Sequence, residues 1–191
     1  YDSEASRGDQ VQQSFENSLG HLHTDYLDSY ILHGPTSSVG LTKSDWFTWE
    51  AFERLYEQEK VRFIGVSNMS AEQLKELSEN AKVKPHFIQN RCFARLAWDK
   101  EVRDYCQQQG IVYQGFSLLT ANPDVLNHPQ FLEMAEKKGM TPAQLIFTFA
   151  LKANMLPLTG TTDPQHMQED LACLNHDLDE ESLRTIENFL A

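Results

Sequence analysis

The chain has 191 residues, 40% of them hydrophobic. That composition is globular rather than disordered and allows a core of useful size. Lys and Arg total 16 against 28 Asp and Glu, a net charge of -12. This argues against a nucleic-acid partner, because phosphate-backbone affinity comes mainly from Lys and Arg. No apolar run is long enough to span a bilayer, and no signal-peptide pattern opens the sequence. A membrane partner is therefore not expected.

The pattern alternates helix and strand. Asp9 to Leu22 carries Val11, Phe15, Leu19 and Leu22 at helical spacing. Leu27 to His33 reads as a buried strand, and Gly34 to Lys43 as a loop. Ser44 or Asp45 caps the next helix, which presents Phe52, Leu55 and Tyr56 inward and ends near Lys60. Val61 to Val66 is the second strand. Ser70 and Gln73 have capping-box spacing at the head of a helix reaching about Ala81. His86 to Gln89 is a short third strand. Asp99 to Gln109 is helical and stops at Gly110, where glycine suits a helix end.

Ile111 to Phe116 is the fourth strand, and Thr120 to Pro129 a loop. Helices follow at Phe131 to Lys138 and Thr141 to Lys152, the second with Pro142 in its first turn. Met155 to Leu158 is the fifth strand. Thr162 or Asp163 opens a helix to about Leu174. Asp179 opens the last one, with Leu183, Ile186 and Leu190 on one face. One helix followed by five strand–helix repeats, with no linker, predicts a single α/β domain over 1–191. Its sheet should be parallel with right-handed crossovers.

Chemistry-bearing residues collect at the expected carboxyl ends of the strands, where parallel sheets build sites. His33 follows an apolar run and precedes Gly34-Pro35. Its imidazole can hydrogen-bond a substrate oxygen or move a proton near neutral pH; a histidine satisfied by backbone is an equally weighted alternative. Ser67 and Asn68 end the second strand and Gln89 the third. Such hydroxyl and amide groups can grip a planar carboxamide, although an isolated Ser-Asn pair is more often a cap or turn. Phe116 and Ser117 end the fourth strand, where a phenyl ring can stack on a flat heterocycle or simply join the core. Thr159-Gly160-Thr161-Thr162 precedes a helix and can receive an anion on free N–H groups, or serve as a capping loop. Trp46, Trp49 and Trp98 lie near loops and can line a substrate pocket, although core or rim packing is the commoner role. The histidines show no metal-ligand spacing with a carboxylate, so no metal is assigned. Cys92, Cys106 and Cys173 form no C-x-x-C pair and read as free thiols of a reducing, cytoplasmic compartment.

In order, these segments resemble the aldo-keto reductase family over nearly the whole chain. Asp28 to Pro35 is similar to the family's fourth strand, whose terminal histidine, here His33, orients and polarises the substrate carbonyl. Val61 to Asn68 is similar to the fifth, whose Ser-Asn pair, here Ser67 and Asn68, binds the nicotinamide carboxamide. Gln89 matches a glutamine with the same task. Phe116 falls where the family usually has a tyrosine stacked on nicotinamide. Ser117 and Leu118 fall on the loop facing the pyrophosphate. Thr159, Gly160 and Thr161, with Glu169 and Asp170, fall on the segment for the adenosine 2′-phosphate and adenine.

The resemblance implies an incomplete (β/α)8 TIM-type barrel, its fourth to eighth strands, reducing aldehyde or ketone substrates with NADP or NAD. The family's usual Lys and Arg for the 2′-phosphate are Leu158 and His166 here, which leaves NAD or weak NADP binding. The Asp, Tyr and Lys of the family's catalytic set belong to the first three strands, ahead of the matched stretch. The open edges this implies predict self-association. A shortened, non-catalytic nucleotide-binding or interaction module is the alternative.

Overall fold

A computed structural model describes residues 2–189. Five parallel strands form one sheet in the order β1-β2-β3-β4-β5: β1 (Leu27–Leu32), β2 (Val61–Ser67), β3 (Phe87–Arg91), β4 (Val112–Phe116) and β5 (Met155–Pro157). The α/β alternation is as expected, with β1 and β5 as the edge strands. Among the described residues no helix is long and apolar enough to cross a membrane.

The chain divides into two compact units, 1–88 and 89–191. In the first, α1 (Arg7–Leu22) and α2 (Lys43–Glu57) lie together, and α2 also lies on β2. β1 and β2 pair in register from Leu27 with Val61 to Leu32 with Val66. Rings make the core. Tyr30 stacks on Phe52 at 4.6 Å, and Phe15 meets Tyr30 edge-on at 5.7 Å. Trp49 is 1% exposed and its indole N–H donates to the Val83 carbonyl at 3.2 Å, so this tryptophan is core and not pocket rim.

The second unit holds α4 (Lys100–Gln109), α5 (Pro123–Leu126), α6 (Pro129–Lys137), α7 (Pro142–Lys152), α8 (Pro164–Ala172) and α9 (Glu180–Glu187); α3 (Ala71–Asn80) belongs to the first. Trp98 is fully buried beside Phe149 at 5.0 Å. Its indole donates to the Ile186 carbonyl at 2.9 Å. The nearly buried Arg103 donates to the carbonyls of Trp98 and Ala153 and pairs with Glu187 at 2.8 Å, so its charge is matched rather than stranded.

Several local expectations shift. α2 is capped by Thr42, not by Ser44 or Asp45; Asp45 takes the third position of that capping box. Thr42 and Asp45 are both competent caps, and the reciprocal bond settles their roles. The Thr120 to Pro129 loop contains the short helix α5, opened by Pro123. A 3-10 segment, Ala94–Asp99, precedes α4, with Ala97, Trp98 and Asp99 at φ between 51° and 56°. Nothing in the letters announces three left-handed residues without a glycine. The Ser70–Gln73 capping box, the left-handed Gly110 after α4 and Pro142 at the start of α7 stand as expected. Leu190 lies outside the described residues.

Candidate functional site

In the first unit the candidates cluster where β1 and β2 end. His33 follows β1 directly and is exposed. Ser67 closes β2 and is 5% exposed. Asn68 is exposed, with φ of 55°. In an extended strand successive side chains face opposite ways; the left-handed turn at Asn68 breaks that alternation. Its Nδ2 donates to the Ser67 hydroxyl at 3.1 Å and to the His33 carbonyl at 2.8 Å. The structure thus brings His33, Ser67 and Asn68 together. Gly34 lies close to the same turn: a Cβ there would meet the Ser67 carbonyl at 3.4 Å and Asn68 Cβ at 3.5 Å.

A cavity of about 350 Å³ opens beside this point, lined by His33, Tyr30, Arg7, Gln10, Asp45 and Phe52 among others. Of these, sequence reasoning named only His33 as a candidate functional residue. Burial would push the Asp45 carboxyl up, but hydrogen bonds from Thr42 and Thr36 outweigh it and hold it below its ordinary value. Burial pushes the Tyr30 hydroxyl up, partly offset by a hydrogen bond with Ser14.

In the second unit the expected positions differ in one respect. Gln89 lies inside β3, two residues before its end, not at its end. The strand continues because buried Asn90 places its amide on the Asp99 carboxylate at 2.8 Å, which satisfies a polar residue within the sheet. Gln89 Nε2 donates to Gln114 Oε1 on β4 at 2.7 Å. Phe116 ends β4 half-buried, with the Arg91 guanidinium 5.7 Å from its ring centre. Ser117 follows at φ 57°. Leu118 is 1% exposed and its carbonyl accepts from Asn122, so its side chain faces the core.

Asn122 is a residue the sequence reading missed. It is 4% exposed. Its amide donates to the Cys92 carbonyl at 2.9 Å and the Leu118 carbonyl at 2.8 Å, and accepts from Ala94 N–H at 2.7 Å. One side chain thereby fixes the segments that follow β3 and β4. An Asn beside Pro123 reads as a turn, and only the fold shows its partners.

After β5, Thr159 Oγ1 donates to Asp170 Oδ2 at 2.9 Å. The Thr161 hydroxyl accepts from Asp163 N–H at 3.1 Å. Gly160 is exposed, and a Cβ there would meet nothing within 4 Å. Glu169 stands beside Asp170, its carboxylate taken by Gln165 at 2.8 Å. α8 buries none of its residues. The loop and the head of α8 offer hydroxyls and N–H groups, but the side chains nearest them carry negative charge.

Three buried groups are set apart from ionisable chemistry. Burial pushes the Cys92 and Cys106 thiols up to about 12. Burial, followed by nearby Cys92 and Asp99, pushes the Tyr113 hydroxyl up as well. That hydroxyl donates to Asp99 at 2.9 Å and serves the core. Among the described residues no cluster of three or more His, Cys, Asp or Glu is placed to hold a metal ion.

The sequence model of the aldo/keto reductase family matches residues 2–122 and 124–191. Glyoxal reductase of Bacillus subtilis (strain 168) is 34% identical over 174 residues, covering 91% of this chain and 60% of its own length. An uncharacterized oxidoreductase of Caenorhabditis elegans is 33% identical over 185 residues, covering 95% of this chain and 57% of its own length. An aldo-keto reductase enzyme from a Medee basin deep-sea metagenome library superposes with a TM-score of 0.86 at 26% identity, covering 98% of this chain and 69% of that one. The chain thus spans somewhat over half the length of the curated relatives it matches. With five parallel strands and a family match running from residue 2 to residue 191 save one position, the chain belongs to the aldo/keto reductase family.

Proposed function

We propose that this chain carries the dinucleotide-holding part of an NAD(P)H-dependent oxidoreductase that reduces aldehyde or ketone carbonyls to alcohols. The observation that supports this most is the Ser67–Asn68 turn, locked against the His33 carbonyl. Both hydrogens of the Asn68 amide are used within the protein. Its carbonyl oxygen is then the arm that accepts from a carboxamide N–H of the ligand. Gln89, its amide set by Gln114, carries the same assignment. Phe116 supplies a half-buried ring beside the Arg91 guanidinium. Ser117 and the N–H groups after Leu118 suit phosphate oxygens, whereas Thr159, Gly160 and Thr161, with Glu169 and Asp170 beside them, suit the adenosine end.

The dinucleotide, when bound, supplies the hydride. His33 hydrogen-bonds the substrate oxygen and so polarises the carbonyl. The cavity beside it admits a small molecule.

Titration of the chain with NADH and NADPH, followed by nicotinamide fluorescence, tests the reading. Saturable binding is expected, weakened about tenfold by Asn68→Gly, which keeps the left-handed turn and removes the amide. Absence of saturable binding to either dinucleotide overturns it. Binding by the full-length protein without aldehyde-dependent oxidation of the dinucleotide would favour a non-catalytic nucleotide-binding module.

A further inference from the structure

The segment from Gly34 to Leu41 contains neither helix nor strand, yet it is held from two helices. On the α2 side, Asp45 accepts from Thr36 N–H and Thr42 N–H, each at 2.8 Å. On the α3 side, Glu76 accepts from Leu41 N–H at 3.2 Å. Two further bonds come from a single side chain: Gln73 Nε2 donates to the Ser37 carbonyl at 2.9 Å and the Gly40 carbonyl at 2.8 Å. The same amide's oxygen accepts from Ser70 N–H at 3.1 Å, while the Ser70 hydroxyl accepts from Gln73 N–H.

Gln73 is 3% exposed, and both its N–H groups and its carbonyl are engaged. A capping box needs only the oxygen. The nitrogen's two bonds therefore do something beyond starting α3. Because the amide is planar, aiming its oxygen at Ser70 aims its nitrogen at the loop. Ser70 lies two residues past Asn68, so the turn that follows β2 and the loop that follows β1 share one rigid group.

We infer that Gln73 is a positioning residue that couples the Asn68–Ser70 turn to the Ser37–Gly40 loop, so that holding a dinucleotide at Asn68 tightens the loop that follows His33. This rests on the proposed roles of Ser67, Asn68 and His33. The coupling requires only that the ligand favour the ordered turn over the loosened one.

Hydrogen exchange of the Val39, Leu41 and Thr42 amides, with and without saturating NADPH, tests it. Gln73→Glu keeps an oxygen for Ser70 N–H and loses both donors. Loop exchange is expected to rise about tenfold while α3 amides hold. NADPH slows loop exchange in the wild-type chain and leaves it unchanged in Gln73→Leu. Ser70→Ala, which spares the donors, frays the first turn of α3 and leaves the loop as it was. Equal loop exchange in wild type and Gln73→Glu overturns the inference, as does a loop loosened equally by Ser70→Ala. Loosening by Gln73→Glu in a chain that binds neither NADH nor NADPH would establish the clamp and overturn the proposed dinucleotide role.

Discussion

The side-chain amide of Asn68 donates to the backbone carbonyl of His33 at 2.8 Å, so the residue after β2 fixes the residue after β1. Two demands meet at this position: a left-handed backbone and an amide. They can be separated. Asn68→Gly satisfies the first alone, and Asn68→Val neither. Chemical denaturation should show Asn68→Val less stable by roughly 2–4 kcal/mol, summing lost hydrogen bonds and a strained β-branched residue. Asn68→Gly should lose about 1 kcal/mol or less. Equal losses would mean the backbone sets no constraint.

Gly65 of β2 sits where strands approach closely. An added Cβ would lie 2.6 Å from Ile31 Cδ1 and 2.7 Å from the Phe87 carbonyl. Gly65→Ala should cost about 1–3 kcal/mol in urea denaturation. Adding Ile31→Val should recover only part of it, because the second obstacle is backbone. Full recovery in the double variant would contradict this.

Asp45 links stability to pH. Its carboxyl is held below the ordinary value in the folded chain. Its contribution is therefore complete above the unfolded-state value, near 3.8, and is lost as pH falls through the lower folded-state value. Melting curves from pH 7 down to pH 3 should show a steeper acid limb in wild type than in Asp45→Asn. The variant should also lose about 1–2 kcal/mol at pH 7. Parallel acid limbs would contradict the assignment.

Asn122 satisfies three backbone groups at once. Asn122→Ala leaves them buried without a partner and should destabilise by about 2–4 kcal/mol. Asn122→Asp keeps the acceptor for Ala94 N–H but opposes the two carbonyls, so it should rescue little. A difference under about 0.5 kcal/mol for Asn122→Ala, the scale of an ordinary surface change, would show the bonds to be dispensable.

Asp170 holds Thr159, and Leu158 and His166 stand where the family resemblance places Lys and Arg. A carboxylate suits a ribose hydroxyl better than a phosphate. NADH should therefore bind at least as tightly as NADPH. Leu158→Lys with His166→Arg should tighten NADPH about tenfold or more relative to NADH. Competition titrations that leave the NADPH/NADH ratio unmoved would count against this segment as the adenosine subsite.

The strands were legible because each is a short apolar run ended by polar letters; Val61 to Ser67 is the clearest. Capping boxes and helix-ending glycines were legible because their chemistry is local: Ser70 with Gln73, and Gly110. What escaped depends on partners far along the chain. β3 runs past Gln89 because Asn90 finds Asp99. Asn122 reaches back to Cys92 and Ala94. Ser44 and Asp45 both carry cap chemistry, whereas the cap is Thr42 and Asp45 is the third residue of the box it opens. For the site, the order of His33, Ser67, Asn68, Gln89 and Phe116 was readable, whereas the bond from Asn68 to His33 required the two strands to be paired.

The left-handed stretch from Ala97 to Asp99 bears on the order of folding. Such a conformation costs roughly 1–2 kcal/mol per residue when no glycine is present. Locally, then, the chain prefers another path. The compensating bonds come from Arg103, from Asn90 and Tyr113, and from the Ile186 carbonyl near the far end of the chain. The bend cannot seed the fold. We expect it to be among the later contacts to form, because the Trp98 indole takes its partner, the Ile186 carbonyl, from 88 residues further along the chain.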